Sequence, residues 1–557
     1  MQARQRRVGL DTALFGGVVL ALVILVVLPL GTVILQGVFP QLSLGLWVEP
    51  FSHWPGVLED PYFLEALTNT LMLGVAVSAL SLGLALPLAY ARGLYQVPGA
   101  FWWDLLILIP FMLPPYVGAM AWTFTLQPGG YSSQLLGLSA QELLFSFPGI
   151  VLVMSLHLFP LIYFALSRTL SAIGWRYVDA ARVCGASMTE SAWRIVLPLS
   201  LPAVVASVLM VFSLAIEEYG TPSILGRPSQ FLVLVTRIEE KMAEWPIDLA
   251  GAAFLSSVLL FLALVAYALH HWINTHHAHA STLGKHGAMS AMPLSPKAKT
   301  LVLLGFGLVT VCAVVLPLAA MFLTAFSQTL SGGLAWSNMG WRHFSAIVSN
   351  EGGALSALMT SWGLAGLTAL IAGILGAATA FIAVRSPWRS RVAVDALSGL
   401  PNAMPGMVLA VGLILLWNRS WWPFPIYGTS AVLLFAYICL LLPYPVRYVS
   451  TALRQISTNL DGAARVSGAN SGQVLWYILT PMVAPHLLIS MMLVFAIASR
   501  ELVASVMLAP PGLSTVSTHI FNQFAQGSPN EGMALAVVAV GLSTALLVLL
   551  NRWAPSK

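Results

Sequence analysis

The sequence predicts an all-α polytopic membrane protein of about twelve transmembrane helices, arranged as two parallel six-helix repeats, and three observations predict it. Of its 557 residues, 58% are hydrophobic and only 8% are charged, against roughly 25% charged in soluble domains. Apolar runs of bilayer-spanning length recur from one end of the chain to the other. A segment of the first half reappears without a gap in the second.

So little charge cannot cover a soluble surface, whereas a lipid-facing surface needs almost none. The apolar runs fall near 11–37, 64–91, 103–126, 147–167, 197–219 and 250–273, then near 300–326, 356–383, 392–417, 427–449, 483–508 and 532–552. Backbone groups in hydrocarbon must pair within their own segment, and these runs are about twice the length of a barrel strand, so they read as helices. The first run is too long for a signal peptide and lacks a small-residue cleavage site, so it is expected to remain as the first helix. Cys184, Cys312 and Cys439 show no paired spacing and imply neither a disulfide framework nor a thiolate metal site.

Orientation follows from Lys and Arg. With the amino terminus inside, all of the 25 basic residues fall in inside segments except Arg227, Arg237, Lys241, Arg342, Arg419 and Arg500. That asymmetry places both termini in the cytoplasm. The formal net charge of +5 therefore reflects topology, and no nucleic-acid partner is implied.

The repeat aligns DAARVCGASMTESAWRIVLPLSLP at 179–202 with GAARVSGANSGQVLWYILTPMVAP at 462–485, an offset of 283. Shared Arg, Gly and Pro positions are hard to assign to common apolarity. The same offset pairs Pro160 with Pro443 and Glu218 with Glu501; an offset of 291 pairs Pro110 and Pro114 with Pro401 and Pro405, and 288 pairs Pro29 with Pro317. The reading is a tandem duplication: a first half at 1–275, a His/Pro/Lys linker at 276–299 and a second half at 300–557. An even number of helices per half makes the repeats parallel, related by an axis along the membrane normal.

Both copies of the repeated segment lie on the inside, after the fourth and tenth helices. Locally, each reads as a short amphipathic helix that packs closely through Ala-Ala and stops at Gly. In the first copy Asp179 favours the helix start, and Pro198 is expected at the start of the next membrane helix.

The spacing Glu-Ala-Ala, three residues, Gly, nine residues, Ile, one residue, Leu-Pro is the signature of permease subunits of binding-protein-dependent ABC importers. This chain resembles them at Asp179, Ala180, Ala181, Gly185, Ile195, Leu197 and Pro198, with Asp for Glu. The second copy matches at Ala463, Ala464, Gly468, Ile478 and Pro481, and departs at Gly462, which follows Asp461, and at Thr480. The resemblance implies the type I ABC importer permease fold. It further implies coupling helices near 176–187 and 459–470, docked on two copies of a separate ABC ATPase, with Arg182 and Arg465 placed to pair with acids there. ATP and Mg would belong to that partner. The chain has no phosphate-binding G-x-x-x-x-G-K-[ST]; TLGKHG at 282–287 lacks the first Gly and the hydroxyl residue. No catalytic residue, cofactor or metal site is expected on this chain. A periplasmic solute-binding protein, membrane lipid and a bacterial inner-membrane location complete the expectation.

EEYGTPSILGRP and SRELVASVMLAPPGLSTVSTHIF, after the fifth and eleventh helices, are similar to the fused ferric-iron-type permeases, a group that shades into thiamine, polyamine and 2-aminoethylphosphonate importers. Glu217, Glu218 and Glu501 fall about 20 residues, or roughly 30 Å of helix, beyond Pro198 and Pro481. They are candidate pathway or outer-gate carboxylates, or solvated helix ends with Arg500 neutralising one of them. His270, His271, His276, His277, His279 and His286 sit in or beside the linker and read as solvated. Trp47, Trp54, Trp421 and Trp422 read as interfacial anchors. Pro110, Pro114, Pro401 and Pro405 are expected to kink the third and ninth helices. A twelve-helix secondary transporter has the same gross shape, but does not need two copies of the inside signature and usually carries its coupling-ion acids near the midplane.

Overall fold

The computed structural model describes residues 15–277, 292–386, 390–419, 426–469 and 471–553. His279, His286, Trp421 and Trp422 lie outside the described residues, as do the side chains of Arg465, His276 and His277. Nine elements in each half, with shorter helical turns between them, carry the fold. The first half contains α1 (Phe15–Val38), α2 (Pro61–Leu94), α3 (Ala100–Met112), α4 (Pro115–Leu126), α5 (Phe147–Ile173), α6 (Arg176–Val183), α7 (Arg194–Glu217), α8 (Leu234–Ala243) and α9 (Leu249–His277). The second contains α10 (Pro296–Phe326), α11 (Ala354–Arg385), α12 (Arg391–Ala403), α13 (Gly406–Trp417), α14 (Ser430–Gln455), α15 (Thr458–Val466), α16 (Trp476–Ala498), α17 (Val516–Ala525) and α18 (Pro529–Trp553).

Among the described residues nine helices are long and apolar enough to cross a membrane, and two bent pairs, continued past α4 in one case, bring the number to eleven. The twelfth run is α18, a helix of 25 residues. The halves interlock. α1 packs on α9 of its own half and on α13 of the other, and α10 packs on α18 of its own half and on α4 of the other. α5 and α14 are the most enclosed spans, with 72% and 67% of their apolar windows buried. Small residues permit the closest approaches. A Cβ at Gly93 would meet Leu170 Cβ at 2.6 Å, and one at Gly376 would meet Pro445 Cβ at the same distance.

Two expectations about helix course need correction. The third and ninth runs are broken outright: the α3–α4 pair bends by 96° and the α12–α13 pair by 109°. The residues before Pro114 and Pro405, Leu113 and Met404, are extended, the geometry that a proline ring favours in the residue that precedes it. Pro198 stands at the second residue of Leu197–Glu217, as expected, but the chain is already helical before it. A continuous helical path runs from Met188 through a π-turn at Ala192–Val196 into Leu197–Glu217, and Val474–Leu479 does the same ahead of Pro481. Matching π-turns precede Pro29 and Pro317, where Leu28 N–H reaches back to Val23 and Leu316 N–H to Val311. Each ring lacks the N–H the ladder needs, and the preceding turn widens to absorb the defect. The eleventh run also ends early, at Ala498, with a separate short helix at Val503–Leu508.

Among the described residues two contacts depart from the all-α expectation, an isolated antiparallel bridge between Ser327 and Met339 and a short strand pair. Tyr95–Gln96 and Met292–Pro293 form a two-residue parallel pairing, which ties the described end of the linker region to the turn between α2 and α3.

Candidate functional site

α6 and α15 end in the same geometry. Gly185 has φ +90° and Gly468 φ +91°, a conformation that an L-side chain adopts only under strain. After Gly185 the Ala186 N–H donates to Ala181 C=O at 3.0 Å and the Gly185 N–H to Arg182 C=O at 3.0 Å, which satisfies two otherwise unpaired helix-end carbonyls. Ala469 N–H donates to Ala464 C=O at 3.0 Å in the second copy. Glycine at this spacing is thus a requirement of the helix stop.

Exposure matches as well. Asp179, Ala180, Arg182 and Gly185 are exposed and Ala181 half-buried; Gly462, Ala463 and Gly468 are exposed and Ala464 half-buried. Ile195 and Ile478 are half-buried, and Pro198 and Pro481 exposed. Asp179 lies in the first turn of α6, as expected. Sequence reasoning missed the apolar members of this face. Val183 is 88% exposed and its repeat mate Val466 91%; Tyr177 and its mate Leu460 are exposed too. The offset of 283 contains that signal, two large apolar residues repeated at the ends of otherwise polar helices. Val183 and Val466 are the most exposed large apolar residues of the two helices.

The two helices are anchored by different chemistry. Trp175, just before α6, donates its indole N–H to Leu94 C=O at the end of α2 at 2.5 Å, and stacks edge-on against Tyr95. The offset places Thr458 at the equivalent position. There Arg385, the last residue of α11, donates to Leu453 and Ile456 C=O at 3.1 and 2.8 Å, just before α15. In both halves the second long helix is bonded to the chain that leads into the short one.

A further charge clasp lies near the same end of α2. Arg92 forks onto Asp104 of α3, with contacts of 2.8 to 3.2 Å, and Tyr163 of α5 donates to Asp104 at 2.6 Å. In the second half Arg447 reaches Asp395 at 3.4 Å. The offset of 291 that pairs the kink prolines also pairs Asp104 with Asp395, so the shared acid was visible in the sequence, whereas Arg92 and Arg447 are not equivalent under it.

At the far end of α7 and α16 the three candidate carboxylates separate. Glu218 accepts the N–H groups of Gly220 and Thr221 at 2.9 and 2.8 Å. Glu501 accepts those of Ala504 and Ser505 at 3.1 and 3.2 Å, and the Ser505 hydroxyl at 3.3 Å. Each therefore caps the helical turn that follows it, where a carboxylate meets free N–H groups and the positive helix end. Glu217, the last residue of α7, has no hydrogen bond or ion pair among the described residues. Arg500 does not neutralise a glutamate. Its guanidinium donates to Met112 C=O at the break between α3 and α4. Among the described residues no three His, Cys, Asp or Glu side chains gather as a metal cage.

Comparison with known proteins accords with this geometry. The family described as binding-protein-dependent transport system inner membrane component matches the chain twice, over residues 84–277 and 369–555. The ferric transport system permease protein FbpB of Actinobacillus pleuropneumoniae is 26% identical over 506 residues, 89% of this chain and 72% of that protein. The Fe(3+)-transport system permease protein FbpB 2 of Haemophilus influenzae is 23% identical over 536 residues, 96% of this chain and 97% of that protein. The putative 2-aminoethylphosphonate transport system permease protein PhnV of Salmonella typhimurium is 27% identical over 237 residues, 88% of its own length but only 42% of this chain. A single-half relative of that size fits one repeat.

Proposed function

Because this chain belongs to the binding-protein-dependent transport system inner membrane components, we propose that it forms the whole translocation pathway of an ATP-driven importer, with both pore-forming halves on one polypeptide. The observation that carries the reading is the matched pair of α6 and α15, each ending on a left-handed glycine beside a bare valine. Two such faces suit two copies of one ATPase, which binds ATP and Mg and docks from the cytoplasm of a bacterium. Val183, Val466, Tyr177 and Leu460 would enter its clefts, and Arg182 and Arg465 would meet acids at the rim.

Motion would then pass along defined bonds. Closure of the ATPase displaces α6 and α15. The Trp175–Leu94 bond carries the displacement to α2, and the Arg385 bonds carry it to α11. The π-turns ahead of Pro198 and Pro481 sit where α7 and α16 must pivot, and such turns yield more readily than a regular ladder. A periplasmic binding protein delivers the solute at the opposite face. Both termini lie in the cytoplasm, the halves span 1–275 and 300–557, and 276–299 links them.

The cargo is ferric iron. The full-length relatives carry that assignment in their names, whereas those named for 2-aminoethylphosphonate and sulfate match only one half. The test is uptake into proteoliposomes that contain this chain and its ATPase, with binding protein loaded with ferric ion or with 2-aminoethylphosphonate. Uptake of ferric ion that stops when ATP is withdrawn is the expected result. Uptake that persists on a membrane potential without the ATPase would overturn the importer reading, and uptake of the phosphonate alone would overturn the cargo.

A further inference from the structure

Where α11 and α14 run toward α15, they and the start of α12 leave a gap. Ala383, Val384, Arg391, Val392, Asp395 and Arg454 line a pocket of about 330 Å³ there. Its one acid is already engaged, since Asp395 meets Arg447 at 3.4 Å. Its two arginines are not: Arg391 has a single long contact, 3.4 Å to Ser386 C=O, and Arg454 has no hydrogen bond or ion pair among the described residues. The first turn of α12 adds no further acid. Two guanidiniums that share one pocket repel each other unless an anion lies between them. The repeat does not reproduce the pair. The offsets of 291 and 283 put Ala100 and Ser171 at the places of Arg391 and Arg454, and the Ser171 hydroxyl donates to Gly93 C=O at 3.2 Å.

The other walls are apolar. Ala383, Val384 and Val392 complete the lining, and Val392 is 68% exposed. α11 and α14 are both long and apolar enough to cross a membrane, so a pocket at their ends lies where hydrocarbon gives way to water. An anion with an apolar body is the ligand that fits both walls at that depth, and basic pockets between membrane helices suit anionic headgroups. We propose that this pocket binds the headgroup phosphate of an anionic phospholipid, held between Arg391 and Arg454 with its glycerol against Val384 and Val392. Guanidinium forks match phosphate oxygens two at a time. With its only acid taken by Arg447, the pocket favours a headgroup of net negative charge over a zwitterionic one. Its position also matters. Val384 precedes Arg385 and Arg454 follows Leu453, and Arg385 donates to Leu453 C=O at 3.1 Å. A lipid seated there braces the joint between α11 and the chain that leads into α15. An effect on coupling rests on the reading of this chain as an ATP-driven importer, whereas binding of the lipid does not.

The probe is phosphatidylglycerol, titrated against the full chain in mild detergent and counted by native mass spectrometry, with phosphatidylcholine as the zwitterionic control. Wild type is expected to retain a single phosphatidylglycerol in preference to phosphatidylcholine. Arg391→Gln and Arg454→Gln should each weaken retention by about fivefold, and the double variant by about twentyfold. Arg342→Gln, which removes an exposed arginine outside the pocket, should leave retention unchanged. In phosphatidylcholine nanodiscs wild type and the double variant should unfold at the same temperature, which separates lost binding from lost fold. ATP-driven uptake in proteoliposomes should rise with phosphatidylglycerol for wild type and stay flat for the double variant. Wild-type retention in the double variant, or equal retention of the two lipids, overturns the site. Displacement of the lipid by millimolar glycerol 3-phosphate would assign the pocket to a free phosphate and overturn the lipid. A chain that retains phosphatidylglycerol through these arginines but takes up nothing with its ATPase leaves the site standing and removes the importer reading.

Discussion

Replacement of Gly185 by alanine isolates the helix stop of α6 from every other property of the docking face. Nothing lies within 4 Å of a Cβ built there, so no clash contributes, and the cost is that of holding an L-residue at φ +90°, about 1 to 2 kcal/mol. The chain can relieve it by unwinding the last turn of α6, which releases the Ala186–Ala181 and Gly185–Arg182 bonds and moves Val183. A shift of 1 to 2 kcal/mol changes the ratio of wound to unwound turn by about five- to thirtyfold. The ATPase affinity of the permease, measured in nanodiscs by surface binding, should fall by a factor in that range, with ATP-driven uptake falling alongside it. Gly185→Asn should retain most of both, because asparagine tolerates the left-handed conformation. Thermal unfolding of the membrane domain should not move, since Gly185 is exposed. Wild-type affinity in the alanine variant, or an asparagine variant weaker than alanine, would refute the conformational argument.

Three other outcomes follow from the same structure. Val183→Asp and Val466→Asp should each weaken ATPase binding while unfolding stays within about 0.5 kcal/mol of wild type, and the double variant should detach the ATPase in co-purification. Glu218→Gln and Glu501→Gln should act as lost caps, lowering stability in detergent by about 1 to 2 kcal/mol each, as read by thermal unfolding. Asp104→Asn leaves Arg92 and Tyr163 without their shared acid, and should lower the unfolding temperature more than Asp395→Asn, whose partner stands at 3.4 Å; equal effects would show that the shorter clasp contributes nothing extra.

What the sequence determined by itself was whatever hydropathy and the repeat encode. Runs of Leu, Val and Ala long enough to span hydrocarbon must be helical, because the backbone has nowhere else to pair, and the halves follow from Arg182, Gly185 and Pro198 recurring as Arg465, Gly468 and Pro481. The need for glycine at the helix stop was equally local, a matter of one φ angle. The breaks at Pro114 and Pro405 were legible as kinks, but how far each bent was set by the helices packed around it.

The roles of the carboxylates were decided only in three dimensions. Glu217, Glu218 and Glu501 share charge, neighbourhood and distance from the signature, yet two of them cap a following turn and one does not. Arg500 stands beside Glu501 in sequence and still spends its guanidinium on a carbonyl 388 residues away. Hydrogen-bond partners across the interface between the halves depend on which carbonyl the broken helix turns toward the axis. No periodicity along the chain records that choice, because it is made by the packing of α1 on α13 and of α10 on α4.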